Sequence, residues 1–262
     1  MRIAAVSTDN VEAHDLFLRG REILFDPRAN REVFDQAVAL FRRAIELDPN
    51  YAEPYAGLAM AHNLDSHNRW TGATDALDVA EHFAAQAIEK GPNEPFVHFV
   101  AAVVATWKGK FERAKEEADA ALALNPNYAG AYSARGLIEI YSGHPLAAIP
   151  FLERAMRLDP VSTQLFMHFL GSAHLAAGRY ETAAATFRER IRLAPETDLS
   201  RALLVSTLGH LGEIDEARHV WADLKKINPG YSFAEHMARL PFRNKADADR
   251  IREGLTKAGL PD

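Results

Sequence analysis

The sequence predicts an all-α protein, a solenoid of about six stacked helix–turn–helix repeats with a helical cap at the C-terminal end. Three observations predict it. A nine-residue phrase recurs, as "FRRAIELDP" at 41–49, "LERAMRLDP" at 152–160 and, more loosely, "FRERIRLAP" at 187–195. Pro49, Pro92, Pro126, Pro160, Pro195 and Pro229 follow one another at intervals of 43, 34, 34, 35 and 34 residues. An alanine stands twelve residues before each of them: Ala37, Ala80, Ala114, Ala148, Ala183 and Ala217. A period near 34 residues is the mark of stacked units, each too small to bury its own apolar face.

The second helix of each unit is read from spacing. Ala37, Phe41, Ala44 and Leu47 step by 4, 3 and 3 and so share one helical face. Pro49 then cannot extend the helix, and it disfavours helical geometry at Asp48. The first helix is carried by "YAGLAMAHNL" (55–64), "YSARGLIEIY" (132–141) and "FLGSAHLAAG" (169–178). Small residues (Ala59, Gly136, Gly171) sit in its middle, and glycine there costs about 0.5–1 kcal/mol relative to alanine. Close approach of the second helix, opposite the recurring alanine, is the expected return. Breakers such as "SGH" (142–144), "AGR" (177–179) and "LGE" (211–213) separate the two helices.

Two units are longer than the rest. The second carries 9 extra residues in "LDSHNRWTGATDALDV" (64–79), and the first about 5 in "LFDPRANREVFD" (24–35). Both insertions are expected between the two helices of their unit, on one edge of the stack, where they either decorate a binding face or are plain loop drift. After Pro229, "YSFAEHMARL" predicts a short helix and "NKADADRIREGLTKAGL" (244–260) an amphipathic one, with Leu240, Ile251 and Leu255 on its apolar side. Such a tail suits a cap with a polar outer face. The expected division is an extension at 1–10, repeats at 11–50, 51–93, 94–127, 128–161, 162–196 and 197–230, and capping helices at 231–262.

With these residues in place, the chain resembles a tetratricopeptide repeat protein. "AYSARGLIEIYSGHPLAAIPFLERAMRLDP" (131–160) follows that repeat along its whole length, and the resemblance covers residues 11–229. It implies a right-handed superhelix whose concave groove, lined by the first helices, holds a peptide. The ends, "EAHDLFLRGREI" (12–23) and "LPFRNKADADRIREGLTKAGLPD" (240–262), are similar to the limits of the repeat region in bacterial signalling proteins. There a nucleotide cyclase or a winged-helix DNA-binding domain precedes the repeats.

Composition excludes several function classes. The chain has 262 residues and no cysteine, so disulfides, thiolate zinc sites and thiol nucleophiles are absent. Net charge is −6, with 13 Lys/Arg against 20 Asp/Glu in residues 1–131 and 17 against 16 in 132–262. No basic face for phosphates follows, and no direct nucleic acid partner is expected. No apolar run reaches the ~18–20 residues of a membrane span, and "MRIAAVSTDN" lacks a signal core. A soluble, cytoplasmic protein that does not engage membranes is therefore expected.

Chemistry is equally sparse. The nearest histidine pairs, His62/His67 and His168/His174, are spaced i+5 and i+6 and share no helical face, so no metal site is expected. His98 stands where Tyr55 and Tyr132 stand in other units and reads as a core histidine. "WKGKFERAK" (107–115) lacks the glycines of a phosphate loop, and "GSAH" (171–174) lacks anything to orient a nucleophile and base. The expectation is no enzyme and no cofactor.

A partner is expected on the first helices. Their outward faces give Phe96, Phe99, Val103 and Trp107 in the third repeat, Ser133, Leu137 and Tyr141 in the fourth, and Leu165, His168, Ser172 and Leu175 in the fifth. "PFVHFVAAVVATW" (95–107) is uncharged throughout, as in a helix either buried on every side or waiting for a partner. Phe99 and Trp107 either line a groove or pack on the second and fourth repeats. Arg21 and Asn63 are the polar groups expected in the groove, too few to clamp an acidic tail. An apolar or amphipathic protein segment fits better. The competing readings are a small-molecule sensor closing on the groove or on Trp70, and self-assembly into homo-oligomers.

Overall fold

The computed structural model describes residues 8–25 and 30–260. The residues of the start read for a signal, 1–7, and the centre of the first insertion, 26–29, lie outside them. The described residues form fourteen helices and no strand. In order these are α1 (Val11–Leu24), α2 (Arg31–Leu47), α3 (Ala52–Asn68), α4 (Ala76–Lys90), α5 (Pro95–Trp107), α6 (Phe111–Leu124) and α7 (Ala129–Tyr141). There follow α8 (Pro145–Leu158), α9 (Thr163–Ala176), α10 (Tyr180–Leu193), α11 (Leu199–Leu211), α12 (Ile214–Ile227), α13 (Phe233–Arg239) and α14 (Lys245–Lys257). The contacts divide the chain into two compact units, 1–131 and 132–262, and the division falls within α7.

Turn chemistry sets the hairpins. The first helices α5, α7, α9 and α11 end on Gly109, Gly143, Gly178 and Gly212, each with a left-handed φ between 69° and 96°. The next residue's amide reaches back five positions, from Lys110 to Ala105 O, His144 to Glu139 O, Arg179 to His174 O and Glu213 to Leu208 O. This closure satisfies helix-end carbonyls, and glycine adopts the required conformation without a Cβ penalty. The second helices stop differently. Asp48, Asn125, Asp159, Ala194 and Asn228 are extended, with φ between −144° and −132°, because a proline follows each.

In the first unit α1 packs on α2, α3 on α4 and α5 on α6, and α2 also meets α3 and α4 meets α5. Phe41 of α2 is fully buried between two glycines. A Cβ on Gly20 of α1 or on Gly57 of α3 would come within 2.7 Å of its ring. The second unit repeats the device: Gly136 of α7 makes room for Leu152, and Gly171 of α9 for Phe187, each at 2.6 Å. The small residue therefore faces the large side chain one turn after the recurring alanine, where the sequence placed the alanine itself. The alanines Ala37, Ala80, Ala114, Ala148, Ala183 and Ala217 are all fully buried.

The second insertion does more than lengthen a loop. It extends α3 to Asn68 before the chain turns at Arg69, whose φ is 56°. The buried carboxylate of Asp65 accepts from Thr71 N at 2.8 Å and Thr71 Oγ1 at 2.5 Å, which fastens the turn. Trp70 lies 6.1 Å from the Phe34 ring of α2, and Arg31 donates to its carbonyl.

The tail is bound to the second unit by its own first-helix face. Phe233 and Met237 of α13 and Ile251 and Leu255 of α14 are buried in the same core as Phe187, Leu204 and Leu208. Leu240 packs against that core while only partly buried. α14 crosses α11 and touches α9. Gly254 of α14 sits against the Ser206 backbone of α11, and Gly209 against that of Gly254, so the two backbones meet with no side chain between them.

Candidate functional site

In the first unit, α1, α3 and α5 lie side by side and carry a continuous set of rings. Phe17 meets Tyr51 edge-on at 5.7 Å and Phe96 at 5.6 Å; Phe96 lies 6.2 Å from Phe99; Phe99 meets Tyr128 edge-on at 5.7 Å. Edge-to-face pairs of this kind add about 0.5–1.5 kcal/mol beyond burial. Farther along α5, Trp107 packs on His67 of α3 with ring centroids 3.7 Å apart. Phe96, Phe99 and Trp107 stay partly exposed, whereas residues 100–106 of α5 are buried. Val103 is 8% exposed and belongs with the packed side. Packing on neighbours and an accessible ring edge thus coexist at Phe96, Phe99 and Trp107.

Polar groups are few on this face. The Arg21 guanidinium stands 5.5 Å over the Phe17 ring. Asn63 is 1% exposed, and its Oδ1 has no hydrogen-bond partner among the described residues. Beneath the rings, His98 is buried with Nδ1 2.5 Å from Glu117 Oε2 and Nε2 2.8 Å from Pro92 O. Both nitrogens face acceptors, which favours the doubly protonated ring and raises its pKa. His98 is a core histidine. It also belongs to a series: Tyr55 donates to Pro49 O and Arg201 to Pro195 O, each six residues beyond a repeat-closing proline.

In the second unit the expected lining residues have other tasks. Leu175 is fully buried, at 0% exposure, in one core with Phe187 and Leu208. This corrects its reading as a lining residue, because its position on α9 faces α10 and α11. Leu137 is 4% exposed and likewise packed. Tyr141 is 5% exposed; its ring meets Phe242 edge-on at 4.9 Å and its carbonyl accepts from Arg243 N. The chain's own tail therefore covers it. Arg250 donates to Ala176 O, His210 Nε2 to Arg250 O at 2.7 Å, and Ser206 Oγ to Ile251 O at 2.6 Å. The tail lies along the C-terminal ends of α7, α9 and α11, which hydropathy alone could not foretell. His168 is partly buried, with Nδ1 2.9 Å from Ser200 Oγ, and Leu165 is exposed.

No group of three or more His, Asp or Glu among the described residues could hold a metal ion. None of their helices is long and apolar enough to cross a membrane.

Comparison with known proteins agrees with the hairpin geometry. The tetratricopeptide repeat family model matches residues 167–199. Residues 167–199 thus read as one tetratricopeptide repeat, and the helical hairpins have the fold of tetratricopeptide repeat proteins. A thermophilic TPR protein of Thermus thermophilus has the same fold, with a TM-score of 0.59 and 21% identity over 75% of this chain and 98% of that one. The human IFIT1 dimer with PPP-AAAA gives 0.68, with 16% identity over 94% of this chain and 61% of that one. The Cut9–Hcn1 hetero-tetramer of APC/C gives 0.64, with 13% identity over 93% and 46%. In sequence, "Putative adenylate cyclase 3" of Rhizobium meliloti is 36% identical over 105 residues, 40% of this chain and 18% of that protein. The chain thus spans under a fifth of that relative's length.

Proposed function

We propose that this protein is a non-catalytic interaction module that binds an apolar or amphipathic segment of another protein on the first-helix face of its first unit. The observation that carries the reading is the partly exposed ring series Phe96, Phe99 and Trp107 on an uncharged helix. Rigid aromatic side chains offer large contact area at low entropic cost and dominate binding energy at interfaces. Helix-in-groove recognition asks for such anchors at helical spacing, and 96, 99, 103 and 107 supply it. The Cut9–Hcn1 neighbour is a protein–protein assembly, which agrees with a protein partner. The IFIT1 neighbour's PPP-AAAA does not transfer readily, because residues 1–131 hold 13 basic against 20 acidic side chains.

The partial match to an adenylate cyclase relative favours a second feature of the same reading. The module would serve as the regulatory or recruiting part of a signalling system, in the cytoplasm, with the output carried elsewhere. Selection from a displayed peptide library, followed by fluorescence polarisation with the purified chain, tests the binding claim. Selected peptides should carry apolar residues at helical spacing, and Phe99→Ala/Trp107→Ala should weaken them at least tenfold, about 1.4 kcal/mol. Peptides enriched for acidic tails, or bound equally by the folded double variant, would refute it.

A further inference from the structure

Seven residues after the recurring alanine, the second helices again carry alanine: Ala44, Ala87, Ala121 and Ala155, all fully buried. In α12 that position is Leu224, also fully buried, and in α10 it is Arg190, only 7% exposed. Its Nε and Nη1 atoms are buried and have no hydrogen-bond partner among the described residues. Burial alone lowers its pKa, to about 10, with no carboxylate contributing. Guanidinium nitrogens buried without an acceptor lose their hydration uncompensated, a cost that any apolar side chain at this position would avoid.

The surroundings hold further polar side chains, and the carboxylate that acts on His236, Asp198, already accepts from Asn228 Nδ2 at 2.8 Å. His168 on α9 has its ring 6.4 Å from that of Phe187 on α10, and burial, with the Arg190 charge second, holds it neutral. Its Nδ1 is 2.9 Å from Ser200 Oγ on α11. His236 Nδ1 is 2.6 Å from the Tyr231 hydroxyl. One turn before His168, on the same face of α9, Gln164 Oε1 is buried and also has no partner among the described residues. Unmet polar atoms thus stand on α9 and α10, at Gln164 and Arg190, and on α9 both Gln164 and His168 keep partial access to solvent.

We propose that Arg190 and His168 form an oxyanion-binding site in the second unit, taking a carboxylate or phosphate group that approaches along the His168 side. The anion would accept from the unmet guanidinium donors, and charge-assisted hydrogen bonds of this type are about twice as strong as neutral ones. The site is separate from the aromatic face of the first unit and can fail without it.

Isothermal titration of the intact chain tests the site, with sodium phosphate and sodium acetate as probes in chloride of matched ionic strength. Saturable binding of one or both is expected, and the stronger probe tells phosphate from carboxylate. Arg190→Met should weaken it at least about tenfold, the loss expected for a hydrogen bond to a charged group. His168→Ala carries the same comparison should Arg190→Met fail to fold. A wild-type protein that binds neither ion beyond the chloride background, or folded variants that bind as the wild type does, would overturn the proposal.

Discussion

Single buried histidines give this protein two opposite responses to acid. His98, held between Glu117 and the Pro92 carbonyl, has its pKa raised above the ordinary 6.5 by the Glu117 hydrogen bond, which outweighs desolvation. Its contribution to stability is complete below pH 6.5 and is lost as pH climbs through the raised value. His236 is the reverse: burial lowers it to about 4. It contributes fully above pH 6.5 and loses that contribution as pH falls from 6.5 towards 4. At pH 5 the loss is on the order of 1–2 kcal/mol, since one pKa unit is worth about 1.4 kcal/mol. Denaturant unfolding should therefore show the advantage of wild type over His98→Gln shrinking between pH 6 and 9. The advantage over His236→Phe should shrink between pH 7 and 5; pH-independent differences would refute both assignments. The core role of His98 was legible, because it occupies the register of Tyr55 and Tyr132. Arg190 was equally present in the register, as the one arginine against four alanines and Leu224, but spacing rules seek apolar matches and pass over a polar exception.

Helices were read from the sequence with little loss, because the proline and alanine rulers carry their own physics: proline stops a helix and alanine permits close packing. What those rulers could not supply was the partner of each small residue. Gly171 faces the ring of Phe187, and Ala148 is fully buried. Ala148→Leu should overpack its hairpin and cost about 1–3 kcal/mol, read from thermal unfolding; an unchanged melting curve would show the contact is misplaced. At the α11–α14 crossing the backbones touch, so Gly254→Val has no side-chain motion to relieve it. That variant should release α14 and raise amide exchange across 245–258 while leaving α1–α6 protected. Protection retained in α14 would contradict the close crossing. The position of α14 was hidden, since its apolar spacing states that one face is buried but not against what.

On the scale of the whole molecule, the two units differ in what covers their first helices. In the second, the tail occupies the ends of α7, α9 and α11, so Tyr141 is covered from within the chain. In the first, Phe96, Phe99 and Trp107 keep accessible edges. A sequence read repeat by repeat treats the repeats as equivalent and nominates all of their faces; the tail breaks the equivalence through contacts with residues up to 74 positions away. The central claim is that a partner segment docks on the α5 face. Photo-crosslinking tests it most directly, with benzoylphenylalanine placed at Phe99 and, as a control, at Leu146 of α8, which is 52% exposed. Selected peptides should form adducts from position 99 and not from 146. Adducts from 146 alone, or equally from both, would contradict the account.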